Sequence, residues 1–462
     1  MEPSYAAVMM LRTLFVSFLC TFAVADSVLR ADWPEFRGAF RNGHVAPETG
    51  KEDSQLPLTW SESENVRWKT PIPGLGWSTP VVMGGQIWLT TATEDGHDFS
   101  VLCVDSATGK ILHNKKLFHC DSPEPLGNNV NCYAAPSPAI EPGRFYAHFG
   151  SYGTACVDTA SGKVLWQRDD LKCRHYRGPS SSVVLFDNLV ILTFDGVDLQ
   201  YTVALDKLTG KNVWKTDRDV QWNDQDVTGK GAEEAKRMLD GDHRKAHSTP
   251  VVFTAADGRQ QLLSVGAMAA FAYDPRTGDT LWRVNFEDFS AASRPLYGDG
   301  IAYLVTGGPH AELWAVRTDG TGNVTDTHVR WRLNSRVAKT ASPLLIDGLI
   351  YMVSDDGIIN CIDAGTGEPA WSRRIGGRFA ASPIFAAGSE PRVYFCDQDG
   401  KTTVIKPGRK FEQLAANTLD DGCMASPAVD GRALILRTKT HLYRLEESTV
   451  QQKQSRPPRD TN

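Results

Sequence analysis

An eleven-residue pattern, small-x-Asp-x-x-Thr/Ser-Gly-x-x-x-Trp, recurs along this chain and restricts the folds open to it. It reads Ala204-x-Asp206-x-x-Thr209-Gly210-x-x-x-Trp214, then again from Cys156 to Trp166, Ala272 to Trp282 and Cys361 to Trp371. A further copy, Cys103-x-Asp105-x-x-Thr108-Gly109, ends on His113. The pattern is that of a β-hairpin. Asp caps the turn through its own backbone, Gly takes the positive φ at the bulge, and the small residue precedes the turn on a packed strand. Trp lies on the returning strand.

A second recurrence marks where each unit begins. Ser78-Thr79-Pro80, Ser137-Pro138, Ser248-Thr249-Pro250, Ser342-Pro343, Ser382-Pro383 and Ser426-Pro427 each precede a short apolar run, and Ser180-Ser181-Ser182 and Ser293-Arg294-Pro295 fill the two remaining slots. Each unit then reads as four strands separated by turns, as in Leu349-Ile350-Tyr351-Met352-Val353 for a second strand. The expected fold is all-β, an eight-bladed β-propeller of four-stranded antiparallel blades. The last unit lacks a fourth strand, whereas Asn65-Val66-Arg67-Trp68-Lys69-Thr70 is a fourth strand without a blade. Pairing the two closes the ring and leaves no open edge. Trp68, Trp166, Trp214, Trp282, Trp331 and Trp371 then occupy equivalent places, packed as core between neighbouring blades.

The repeats run from about residue 60 to 446, which leaves no separate catalytic domain in 462 residues. The expected divisions are a signal peptide over 1–25, an N-terminal extension over 26–59, the propeller over 60–446 and a polar tail over 447–462. The leader carries Arg12, an apolar run from Leu14 and Ala23-x-Ala25 before Asp26, a pattern of export with cleavage after Ala25 and too short for a bilayer span. Met9 or Met10 would also serve as a start, and Leu19 before Cys20 disfavours a lipoprotein anchor. A periplasmic or secreted, monomeric protein without a transmembrane span is expected. The net charge of −6 argues against nucleic acid as a partner.

Eight cysteines follow the leader. Cys103, Cys156 and Cys361 hold the slot of Ala204 and Ala272, so they read as small buried residues. A Cys120 to Cys132 bridge would staple an irregular loop if their Cα atoms lie within about 7 Å. Cys396 and Cys423 belong to different blades, where the spacing alone does not decide pairing.

The Ala-x-Asp-x-x-Thr-Gly-x-x-x-Trp element resembles the tryptophan-docking motif of the pyrroloquinoline-quinone (PQQ) repeat family, over about residues 60 to 446. The resemblance implies one of two functions. Quinoprotein dehydrogenases of this family hold PQQ and calcium over the propeller axis and oxidise an alcohol, polyol or sugar with an Asp as base. The chain has no adjacent cysteine pair and no Cys-x-x-Cys-His haem site, and Asp420 and Asp421 are the nearest acids by position. The other kind, resembling the outer-membrane assembly factor BamB, is a non-catalytic docking platform. The expected function is a BamB-like extracytoplasmic binding or scaffold protein without a cofactor, and its partner a protein or a small anionic ligand of the envelope. The alternative is the PQQ-dependent dehydrogenase.

Residues three to five places before the blade-start proline, or before Ser182, are expected at the mouth of the axial channel. They are Tyr133, Arg177, Lys245, His247, Lys339 and Arg378, with Trp77 beside them and Arg294 one place before its own proline. Converging cations on an acidic protein form an anion or carboxylate site. The competing expectation is a solvated rim whose charges pair with local Asp and Glu. Asp224-Gln225-Asp226-Val227-Thr228-Gly229 opens like a calcium loop, but its twelfth place holds Ala235 where a bidentate Glu is needed, so an exposed acidic loop leading into a helix over 232–239 is expected instead. His243 and His247 are four apart, but the second precedes a strand, which disfavours zinc.

Overall fold

The computed structural model describes residues 33–45, 56–127, 130–222 and 224–447. The leader, Cys20 and the tail from residue 448 onward lie outside the described residues. Eight sheets, each built on four antiparallel strands and two of them extended by a fifth, parallel strand, form an eight-bladed β-propeller. Blade 1 comprises Val81–Met83, Gln86–Ala92, Asp98–Asp105 and Ile111–His119, and blades 2 to 7 repeat the arrangement. In blade 8 the chain supplies Ala428–Asp430, Ala433–Arg437 and His441–Leu445, and the fourth strand is Val66–Pro71 from the N-terminal side, with Trp68 opposite Arg444.

The recurring motif now has a mechanical explanation. The Trp166 Nε1–H donates to the Lys207 carbonyl of the next blade at 2.8 Å, and Trp214, Trp331, Trp371 and Trp68 make the same bond to Pro275, Ala364, Gly408 and Ser106. The acceptor follows the turn Asp in four of the five. Gly210 completes the lock: its φ is +68°, and a Cβ there would lie 2.7 Å from the Trp166 ring. Gly is therefore needed both for the turn and for the approach of the indole. Trp282 differs by donating to Gln261 within its own blade, at 2.8 Å. Blade 5 replaces the short turn with a longer excursion whose Gly322–Asn323 pairs in parallel on the edge of blade 4.

Residues 33–45 cross the end of the axial channel and touch six blades. Trp33 exchanges both main-chain bonds with Val82, the Pro34 carbonyl accepts from Ile140 N–H, and Arg41 donates to the Leu185 carbonyl. Arg37 donates to the carbonyls of Pro343 and Pro383, Arg294 donates to that of Phe36, and His44–Val45 adds a parallel strand beside Phe385–Ala386. Arg37 is only 2% exposed and Arg294 only 1%. Burial, with Arg294 nearby, pushes the Arg37 guanidinium down to about 9. Arg37 is thus a fork from the plug to blade carbonyls, and Arg294 a fork from blade 5 to the plug carbonyl of Phe36.

Candidate functional site: the axial cavity

The first strand of each blade lines the axis, so the residue just before it faces the channel. Those residues form hydrogen-bonded arcs from blade to blade. The main-chain N–H of Thr79 donates to Ser137 Oγ, Ser137 to Ser182 Oγ and Ser182 to Thr249 Oγ1, at 2.9 to 3.0 Å. Beyond the break, Arg294 donates to Ser342 Oγ, Ser342 to Ser382 Oγ and Ser382 to Ser426 Oγ, each at 2.9 Å. Arg294 lacks a hydroxyl and interrupts the series, while Arg437 bridges the seam between blades 8 and 1 by donating to Ser78 Oγ and the Thr90 carbonyl. Each hydroxyl that accepts an N–H keeps its own proton to donate.

Above this crown lies a cavity of about 520 Å³, open at one end, with Phe36 of the plug among its lining. Thr79, Ser137, Ser182, Thr249, Ser342, Ser382 and Ser426 all line it. So do the cations Arg177, Arg237, Lys245 and Lys339, against a single carboxylate, Asp355. That carboxylate already accepts from the Thr340 N–H and hydroxyl, at 3.3 and 3.2 Å.

The structure brings together Trp77, Arg177, Lys245, His247 and Lys339 from the sequence-derived set. Lys339 is exposed and has no ion pair among the described residues. Arg177 donates to the Gly127 carbonyl at 2.6 Å and stacks on Tyr176. Lys245 is buried; it donates to Asp242, whose carboxylate also takes Arg237, so part of the rim charge is neutralised locally. Burial, with Lys245 and His175 nearby, pushes the His247 imidazole down to about 3, so it is neutral at ordinary pH. The Trp77 Nε1–H is buried without a hydrogen-bond partner among the described residues.

Three expected members lie elsewhere. Tyr133 packs between blades 1 and 2 against Phe99 and Tyr152, its hydroxyl donating to the Glu124 carbonyl. Arg294 points along the axis into the plug. Arg378 is exposed and paired with Asp399 at 2.9 Å, off the cavity wall. Sequence spacing missed Arg237, which the helix Ala232–Leu239 hangs over the mouth. The helix bounds agree with expectation, but the loop before it is not wholly exposed: Asp224 is buried and bound by Arg244 through two bonds, at 2.5 and 3.0 Å. That carboxylate is engaged and is not a free calcium ligand. His243 stacks on Phe289 at 4.0 Å instead of turning towards a shared ion with His247.

Cys120 and Cys132 are both free in this structure, as are Cys396 and Cys423, so the bridge considered between Cys120 and Cys132 is not formed here. Cys132 is buried near Arg437 at the ring seam, while Cys120 packs beside the Phe99 cluster. Cys103, Cys156 and Cys361 are fully buried, as their slot demands. Asp420 pairs with Lys69 and Asp421 accepts from Thr440, so neither lines the cavity.

The model of the family described as outer membrane protein assembly factor BamB matches residues 53–175 and 200–455. The chain belongs to that family. Among solved structures, BamB from Moraxella catarrhalis aligns with a TM-score of 0.55 at 12% identity, covering 83% of this chain and 98% of that one. A europium-containing methanol dehydrogenase gives 0.62 at 11%, covering 88% and 89%, and the quinohemoprotein alcohol dehydrogenase from Comamonas testosteroni gives 0.61 at 13%, covering 94% and 82%. At these identities the likeness shows the fold alone. No curated protein matches at a significant level.

The BamB-family fold is thus shared with proteins that carry a quinone and a metal, and the cavity tests whether such groups fit. Calcium needs six to eight oxygen ligands, several of them carboxylates. This lining offers one engaged carboxylate beneath four cations, and no cluster of three His, Cys, Asp or Glu that could hold a metal exists among the described residues. The donor set does not fit a calcium ion.

Proposed function

We propose that this BamB-family propeller is a non-catalytic binding protein of the cell envelope that captures a small anionic ligand, or an anionic group of a protein partner, in its axial cavity. The observation that carries the reading is the lining: four cations, two of them paired with Asp242, and a crown of buried hydroxyls against one engaged carboxylate, on a chain whose net charge is −6. Hydroxyls and guanidinium or ammonium groups all donate, and oxyanions only accept, so the complementarity is chemical as well as electrostatic. The plugged floor makes the site a cup, with ligand entering and leaving by the rim. His247, held neutral, adds a donor or an acceptor without adding charge. The leader pattern over residues 1–25 supports an extracytoplasmic location.

The alternative, PQQ-dependent oxidation of an alcohol, polyol or sugar, is supported only by shared architecture, and the lining disfavours the calcium ion on which it would rely. Calorimetric titration with citrate, inorganic phosphate and PQQ, with and without calcium, distinguishes the two. The binding reading expects calcium-independent binding of at least one anion, weakening with salt and falling at least about tenfold, or 1.4 kcal/mol, in the R177E/K339E protein. Anion binding that is absent at millimolar concentration, or unchanged by the charge reversal, overturns it. Calcium-dependent PQQ binding with dye reduction would establish the dehydrogenase.

A further inference from the structure

Cys396 ends the second strand of blade 7, Arg392–Cys396, and Cys423 lies in the connection that opens blade 8. The main chain brings the two segments together: the Cys423 N–H donates to the Asp397 carbonyl at 2.9 Å, which sets Cys423 beside the residue following Cys396. Both side chains are almost wholly buried, at 1% and 3% exposure, and belong to one apolar cluster. Both thiols are free, and Thr402 Oγ1 donates to Cys396 Sγ at 3.3 Å.

Adjacent buried thiols have few chemical uses. A metal would need further ligands, and no such cluster exists among the described residues. A nucleophile would need a thiolate, whereas the neighbouring Cys396 and burial push the Cys423 thiol up. The remaining chemistry is the bond between them. We propose that Cys396 and Cys423 form a redox pair that closes to a disulfide across the seam between blades 7 and 8.

The reaction is thiol–disulfide exchange with a small or protein disulfide. The two thiols give up two protons and two electrons as the Sγ–Sγ bond forms, and the partner's S–S bond takes them and leaves as two thiols. Because attack requires a thiolate and these thiols are buried and protonated, the folded dithiol exchanges slowly, and closure occurs chiefly while the seam is still open. The cross-link also has a functional neighbour, since Met424 and Ser426 just beyond Cys423 line the axial cavity. Closing the bond fixes the stretch that presents them. This inference does not depend on which ligand the cavity takes.

The full-length chain, refolded in a glutathione redox buffer, is denatured without reductant, alkylated, digested and weighed. A pair of unalkylated cysteines is expected, with one linked peptide joining Cys396 to Cys423, and a phosphine reductant should release it and lower Tm by several degrees. The C396S and C423S proteins should each lose the linked peptide, whereas C120S should keep it. Full alkylation of every cysteine in the wild-type chain, or a linked peptide joining other cysteines, overturns the proposal whether or not the variants fold.

Discussion

The Trp68 indole in the closing strand donates to the Ser106 carbonyl in the first blade at 2.9 Å. Blade 8 is thereby locked to blade 1 by the same bond that joins most other neighbours. The ring closes by two devices at one seam: strand Val66–Pro71 completes the sheet, and its Trp docks on the following turn. Replacing Trp68 by Phe should remove the hydrogen bond and cost roughly 1 kcal/mol, while Ala should cost about 3 kcal/mol or more. Chemical denaturation of both variants measures the difference. A loss no greater than that from an exposed substitution would show that closure rests on the strand pairing alone.

The turn glycine is equally exposed to test. Gly210→Ala must place a methyl 2.7 Å from the Trp166 ring with φ at +68°. Left-handed backbone and overpacking together should cost about 2–4 kcal/mol. Gly300→Ala is a suitable control, because its φ is +79° but nothing lies within 4 Å of its added Cβ. It should show the backbone cost without the overpacking.

Arg37 is the main fork of the plug. Changing it to Met leaves the carbonyls of Pro343 and Pro383 without their donor in a buried setting. The expected loss is roughly 2–5 kcal/mol. Protease digestion should then cut within residues 33–45 before the blades are attacked. Uniform resistance would show that the segment is held by its main-chain bonds alone.

Besides His247, two buried histidines set an acid limit on stability. Burial pushes His148 down to about 3 and His175 down to about 4. Both lie below the unfolded value near 6.5, so the unfolded chain binds more protons between the two values and stability rises with pH there. Their contribution is complete above about pH 6.5 and is lost as pH falls towards 4 and then 3, at up to roughly 1.4 kcal/mol per pH unit for each ring. Melting curves between pH 8 and pH 4 should show this slope, and the H148Q/H175Q protein should lose most of it, keeping the part due to His247.

The blades were legible because each must bury the same faces and so repeats the same residues. Asp206, Gly210 and Trp214 announce one hairpin, and four more copies announce its siblings. The closing strand was legible for the same reason, since Trp68 is a repeat residue displaced to the other end. The plug was not legible. Residues 33–45 repeat nothing, and their partners are carbonyls as distant as Pro383, which no local spacing encodes. Position before the blade-start proline found five cavity residues but misplaced others, because the rule fixes the backbone and not the side chain. Tyr133 turns outward into the apolar layer between blades, and Arg294 turns down the axis to reach Phe36. Arg237 arrives from an insertion outside the repeat register.

The N-terminal segment and the closing strand emerge first from the ribosome, yet most of their sites are built late. Pro343, Leu345, Pro383 and Phe385 accept the segment from blades 6 and 7, and Leu442 to Leu445 receive the strand in blade 8. A nascent chain halted after five blades would carry a plug without its blade 6 and 7 partners and a closing strand with nowhere to dock. Completion of blade 8 is therefore the event that commits the molecule, because only then can the closing strand find its partner.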